Sequence, residues 1–169
     1  LAEKYRTPVV VLYDEIVGHM REPIVIPEKG ELEVIDRAKP DCKPEDYFPY
    51  DDKYEVPPLA PFGKGYRFHV TGLNPKKDGF PTNDSKIIEE NNLRIMRKVE
   101  NHKDEIWKND EFMLDDAEIA VFSIGSTARS ARYAVKQARE AGIKAGLLRP
   151  LTIWPFPDKA VLELSKKVK

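Results

Sequence analysis

The chain has 169 residues, with 28 basic and 29 acidic side chains that leave a formal net charge of −1, and this length suits one ordinary domain with something added. The balance of charge excludes a global field that would draw nucleic acid or an anionic membrane, and no apolar run approaches the roughly 18–20 residues of a membrane span. The single cysteine, Cys42, excludes an intrachain disulfide, cannot by itself hold an iron–sulfur cluster or a structural zinc, and fits a reducing, cytoplasmic setting.

Pro8-Val9-Val10-Val11-Leu12-Tyr13 is a β-branched apolar run without alternation, the pattern of a strand buried on both faces of a parallel sheet. The sequence starts at Leu1 without Met and reaches this run within a few residues, so residues 1–22 read as the last αβ unit of a domain that lies mostly elsewhere. Asp14, Glu15 and His19 follow the strand's carboxyl end, where open α/β sheets place their ligands. Two carboxylates beside an imidazole could do acid–base work at the edge of an active site; solvated charges with a loop-anchoring histidine would give the same pattern. From Arg21 to Pro61 the chain holds eight of its fourteen prolines. Proline removes ladder donors and blocks helix continuation, so residues 23–63 are expected to be an extended linker without a core. Its interleaved Tyr47, Phe48, Tyr50, Tyr54 and Phe62 argue that it lies along a protein surface. Cys42, in the same stretch, reads as an incidental thiol.

Tyr66–Val70 alternates and is expected to be a strand feeding the long loop Thr71–Asp84, a candidate meeting point for a partner through Thr71, Gly72 and Leu73. Asp84 or Ser85 can cap a charged amphipathic helix that runs to about Trp107. A strand at Glu118–Ser123, a helix at Thr127–Ala141 ended by Gly142, a strand at Lys144–Leu148 and a helix from Pro157 onward complete the pattern of a parallel, doubly wound layer. Gly125, Ser126 and Thr127 stand where strand gives way to helix. Free amides at a helix start favour an anion, although Ser126 or Thr127 acting as a plain cap explains the same residues. His69 and His102 read as structural histidines, since neither has a second ligand at helical spacing. Trp154 and Phe156 lie in a proline-bracketed segment; such rigid aromatics suit an interface, or pack under the last helix.

Four stretches in register carry a resemblance: Tyr13-Asp14-Glu15-Ile16-Val17-Gly18-His19-Met20-Arg21-Glu22-Pro23, Phe68-His69-Val70-Thr71-Gly72-Leu73, Ser123-Ile124-Gly125-Ser126, and Gly146 to Pro157. Together they resemble the alpha subunit of archaeal and bacterial 2-oxoacid:ferredoxin oxidoreductases, the 2-oxoglutarate type in particular, over the whole chain and in order. The resemblance implies an α/β fold. Residues 1–22 would be the end of a thiamine diphosphate-binding pyrimidine domain, 23–63 the linker, and 64–169 a Rossmann-like, transketolase C-terminal-like domain with a parallel-rich sheet. It also implies oxidative decarboxylation of a 2-oxoacid to an acyl-CoA with electrons passing to ferredoxin. Thiamine diphosphate, Mg2+, iron–sulfur clusters and coenzyme A would belong to the intact complex, none of them held by this stretch. The implied partners are a beta subunit and cluster-bearing gamma and delta subunits, without nucleic acid or membrane. Where the family carries a His-Asp-Glu-type sequence after Thr71-Gly72-Leu73, this chain has Asn74-Pro75-Lys76-Lys77-Asp78.

The residues leave two other readings standing beside this one, a small phosphate- or nucleotide-binding α/β module built on Gly125–Thr127, and a purely structural interaction domain. With one thiol and none of the elements that grip a diphosphate and its metal, the isolated polypeptide is expected to bind neither thiamine diphosphate nor a reconstituted cluster. Calorimetric titration checks this, and micromolar binding would overturn it.

Overall fold

The computed structural model describes residues 1–168. Its elements, in chain order, are α1 (Ala2–Tyr5), α2 (Glu15–His19), a 3-10 turn (Pro44–Asp46), α3 (Ser85–Glu100), α4 (Lys103–Ile106), β1 (Asn109–Phe112), β2 (Ile119–Phe122), α5 (Thr127–Glu140), β3 (Ala145–Pro150) and α6 (Asp158–Lys167). They fall into two compact units, one made of Leu1–Val10 with Val25–His102, the other of Val11–Ile24 with the chain from Lys103 onward.

The first unit has little regular structure, and side chains hold its irregular backbone. Asp84 opens α3 by accepting the Lys86 and Ile87 amides at 2.9 and 3.3 Å, which satisfies two of the orphan donors of a helix start. Tyr47 is buried at the centre. Its hydroxyl donates to the Pro58 carbonyl and accepts the Ala60 amide, both at 3.1 Å, while Tyr66 and Phe68 meet its ring edge-on at 5.3 and 5.5 Å.

Three expectations change here. Tyr66–Val70 forms no strand: Tyr66 and Phe68 are anchored through their rings, and the Tyr66 hydroxyl donates to the Cys42 carbonyl at 2.9 Å, so packing replaces a ladder. The proline-rich stretch divides. Ile24, Val25, Ile26, Leu32 and Val34 are exposed, but Tyr47, Pro49, Asp51 and Ala60 are buried, so its second half supplies core. Pro8–Tyr13 is not a strand either: it forms no ladder, with Val10 77% and Val11 76% exposed. A parallel strand needs neighbours with free backbone groups on either side, and among the described residues the only sheet is built from β1, β2 and β3.

The loop after Val70 is a small hairpin. Pro75 and Pro81 face each other in an antiparallel bridge, and the Lys76 amide donates to Phe80 and the Thr82 amide to Asn74, at 2.7 and 2.9 Å. Gly79 makes the turn with φ at +91°, and a Cβ there would lie 1.8 Å from the His69 carbonyl oxygen. Any other residue would break both the conformation and the contact.

In the second unit the strand order is β1-β3-β2. β2 runs parallel to β3, with Ile119 opposite Ala145 and Phe122 opposite Leu148, and β1 runs antiparallel, with Asn109 opposite Pro150 and Phe112 opposite Leu147. The layer is therefore mixed α/β with a small sheet. The expected β2-α5-β3-α6 succession is present, and β1 is an addition. Its polar sequence, Asn109-Asp110-Glu111-Phe112, lacks the apolar signature of a strand because it is an edge strand with one ladder. The apolar stripe of α5 covers β3: Val135, Ala145 and Leu147 form a core with Phe112, Val121, Ala131 and Ala138 packed on it. Gly142, at φ +82°, ends the helix in the left-handed region. Gly146 leaves room for the chain before β2, since a Cβ would stand 2.6 Å from both the Met113 carbonyl and Leu114. The helix expected to reach Trp107 stops at Glu100 and resumes as α4.

Leu147 is 0% exposed and Leu162, on α6, is 58% exposed. Leu147→Ala is expected to cost about 2–5 kcal/mol, the range for a buried leucine that leaves a cavity, and Leu162→Ala to stay within about 0.5 kcal/mol. Denaturant unfolding of the two variants checks the contrast.

Candidate functional site

Because β2 and β3 are parallel, their carboxyl ends share one edge of the sheet, the edge that in open α/β sheets carries ligands. Phe122, the Ile124–Thr127 turn and the Leu151–Pro157 connection all follow those ends. Gly125 takes a positive φ of +59°, the conformation glycine adopts without penalty. The Thr127 hydroxyl donates to the Ile124 carbonyl at 2.6 Å and lies 3.0 Å from the Ser123 hydroxyl. Backbone bonds from Ala128 to Gly125 and from Arg129 to Ser126, at 3.4 and 3.0 Å, close the first turn of α5. The side-chain cap expected from Ser126 or Thr127 is not formed. Ser126 already has helical dihedrals and makes no capping bond, and the Thr127 hydroxyl turns back to lock the preceding carbonyl.

The Leu151–Pro157 connection is tied down from its backbone side. Thr152 donates to the Ile106 carbonyl at 3.0 Å and accepts the Lys108 amide at 3.2 Å, and the Trp107 indole donates to the Pro155 carbonyl at 3.1 Å. Pro157 is buried, whereas Trp154 is 60% and Phe156 51% exposed. Neither ring packs away under α6, and neither is a core residue of the unit. Phe156 lies 6.1 Å from Phe122, its ring tilted against it. Sequence reasoning did not find Trp107 and Thr152, the residues that anchor this connection; their only signal was an aromatic and a hydroxyl at the two ends of an otherwise irregular pairing.

Asp14, Glu15 and His19 sit on and just before α2. His19 Nε2 is 3.7 Å from the Glu15 carboxylate one turn earlier, and both side chains are exposed; Asp14 occupies the N-cap position without a side-chain bond. The three are neighbours along a solvent-facing turn and do not converge in an enclosed cavity. Thr71, Gly72 and Leu73 form a tight bend in which the Thr71 hydroxyl accepts the Leu73 amide at 3.1 Å, leaving Leu73 exposed.

The first unit concentrates its charge in two places that sequence reading did not single out. Arg6 donates to the Pro49 and Pro57 carbonyls and lies over the Tyr50 ring, Lys98 donates to the Arg6 carbonyl at 3.1 Å, and Arg94 donates to the Asp51 carbonyl at 3.4 Å. Burial, helped by the nearby Arg94 and Arg6 charges, pushes the Lys98 ammonium below the usual lysine range. Burial disfavours the charge on Asp51, but the Lys53 amide and the Lys53 and Lys77 ammoniums outweigh it and hold that carboxyl below its usual range. Glu55 accepts from Asn101 at 2.6 Å and meets His102 Nε2 at 2.9 Å; the His102 contact, then Asn101, holds its carboxyl below the usual range. His102 is thus held against Glu55, and His69 stacks on Phe80 at 4.6 Å. Cys42 is a free thiol, partly buried.

Among the described residues no group of three His, Cys, Asp or Glu side chains converges as a metal site, and no helix is long and apolar enough to cross a membrane. A cluster requires several thiolates and the chain has one cysteine, so these residues do not fit an iron–sulfur centre.

Residues 1–93 match the family model described as pyruvate flavodoxin/ferredoxin oxidoreductase, thiamine diphosphate-binding. The chain belongs to this family. Residues 117–169 match a second model of the same enzymes, pyruvate:ferredoxin oxidoreductase core domain II. The 2-oxoglutarate synthase subunit KorA of Methanocaldococcus jannaschii is 39% identical over 98% of this chain and 44% of its own length. The corresponding KorA of Methanothermobacter marburgensis is 42% identical, with the same coverage. The ketoisovalerate oxidoreductase subunit VorB of Methanothermobacter thermautotrophicus is 33% identical over 98% of this chain and 40% of its own length. This chain therefore spans less than half the length of these curated relatives. Among solved structures, the 2-oxoglutarate:ferredoxin oxidoreductase from Magnetococcus marinus with 2-oxoglutarate, coenzyme A and succinyl-CoA bound shares the fold, at TM-score 0.72 and 21% identity over 85% of this chain and 25% of that one.

The Glu55 pairing has a pH signature. A carboxylate whose folded-state value is lowered adds stability above its ordinary, unfolded value, and that stability is lost as pH falls through the folded one. The first unit is expected to weaken progressively on the acid side of the ordinary glutamate range, and Glu55→Gln to remove part of that dependence. Unfolding midpoints measured from neutral pH downward check this; an unchanged slope in the variant would remove Glu55 as its source.

Proposed function

We propose that this chain is a portion of the alpha subunit of a 2-oxoacid:ferredoxin oxidoreductase of the 2-oxoglutarate type. The carrying observation is the succession of two family models in one chain, the thiamine diphosphate-binding model over residues 1–93 and core domain II over residues 117–169. The substrate class is supported by two 2-oxoglutarate synthase subunits among the relatives, at 39% and 42% identity. The reaction is oxidative decarboxylation of 2-oxoglutarate to its acyl-CoA, with electrons delivered to ferredoxin in the cytoplasm. Thiamine diphosphate with Mg2+, iron–sulfur clusters and coenzyme A supply the group-transfer and electron chemistry. The contribution of this stretch is scaffold and surface, and it is inactive alone; its single cysteine is too few for a cluster.

Within that reading, the segment 64–169 includes a transketolase C-terminal-like domain, supported by the β2-α5-β3-α6 order of the second unit and its parallel strand pair. Asp14, Glu15 and His19 lie at the edge of the active site, and their exposure on a short turn leaves them free to face it. Gly125–Thr127 receives an anionic group at the start of α5, a reading supported by the positive φ of Gly125 and by its position between β2 and α5. Trp154, Phe156 and the Thr71–Leu73 bend face the beta subunit or its cluster-bearing companions. Both aromatic rings are more than half exposed on a connection whose backbone is pinned by Trp107 and Thr152. A pinned backbone presents them at low entropic cost.

Two measurements test this. The intact alpha subunit, co-expressed with its partner subunits, is expected to reduce ferredoxin with 2-oxoglutarate at a higher kcat/KM than with pyruvate or 2-oxoisovalerate. Preference for another 2-oxoacid would overturn the substrate, and no turnover with any of the three would overturn the function. In the same complex, Trp154→Ala and Phe156→Ala are expected to shift subunit stability by only about 0.5 kcal/mol, as exposed positions do, while weakening assembly about tenfold or more, as loss of an interface aromatic does. Assembly at wild-type strength in both variants would remove these rings from the interface.

A further inference from the structure

No further inference is drawn: the strongest candidate, the open groove of the first unit between Tyr47, Phe48, Arg67, Phe68 and Phe80, has nothing in the structure to show what covers it.

Discussion

A buried backbone carbonyl must find a donor, and the first unit is built around that requirement. With α3 as its one long helix and no ladder beyond a single bridge among the described residues, it cannot pair its carbonyls by secondary structure. Side chains do it instead. Arg6 serves Pro49 and Pro57, Tyr47 serves Pro58, Tyr66 serves Cys42, Asn91 serves Pro75, and Lys98 serves Arg6. Several of the carbonyls belong to prolines, which have no amide to enter a ladder of their own. The proline-rich stretch, Arg6 after α1 and the cationic side chains of α3 thus work together. Lys98 bears the cost of it, its charge opposed by burial and by Arg94 and Arg6.

The second unit solves the same problem through β3. That strand has partners on both sides, and Leu147 and Leu148 are buried, under α5 in the case of Leu147. Gly146 lets the Met113–Ala117 chain come close, and Arg139 reinforces the crossing by donating to the Met113 and Ala145 carbonyls and to Asp116. The Asp116–Arg139 hydrogen bonds hold the Asp116 carboxyl below its usual range, yet the pair is exposed enough that solvent screens most of its worth. The stability of this unit rests on apolar burial, and its charges fix geometry.

These two ways of organising backbone bear on function. Among the described residues no group of three His, Cys, Asp or Glu side chains could hold a metal ion. What the chain offers is a sheet edge and aromatic rings on a connection whose backbone is hydrogen-bonded, which suits the subunit role proposed above. The chemistry of the proposed reaction is that of cofactors, and a protein's share in such enzymes is positioning.

Periodicity alone placed β2, α5, β3 and α6, because each buries one apolar stripe or face within its own unit and so writes its partner into its sequence. Asp84 was legible as a cap because it stands immediately before the first helical residue, Ser85, within reach of the Lys86 and Ile87 amides. Pro8–Tyr13 shows the limit. Its apolar run carries the pattern of a buried strand, but a strand exists only where another strand meets it, and here it lies exposed. β1 shows the reverse, a polar sequence made into a strand by the free edge of β3. The candidate site divides along the same line. That Gly125 would form a turn and that Trp154 and Phe156 would be held by their prolines followed from local dihedral restriction. The indole of Trp107 on Pro155 and the carboxylate of Glu55 on His102 join residues 48 and 47 positions apart, and only packing could bring them together, since no local preference reaches that far along a chain.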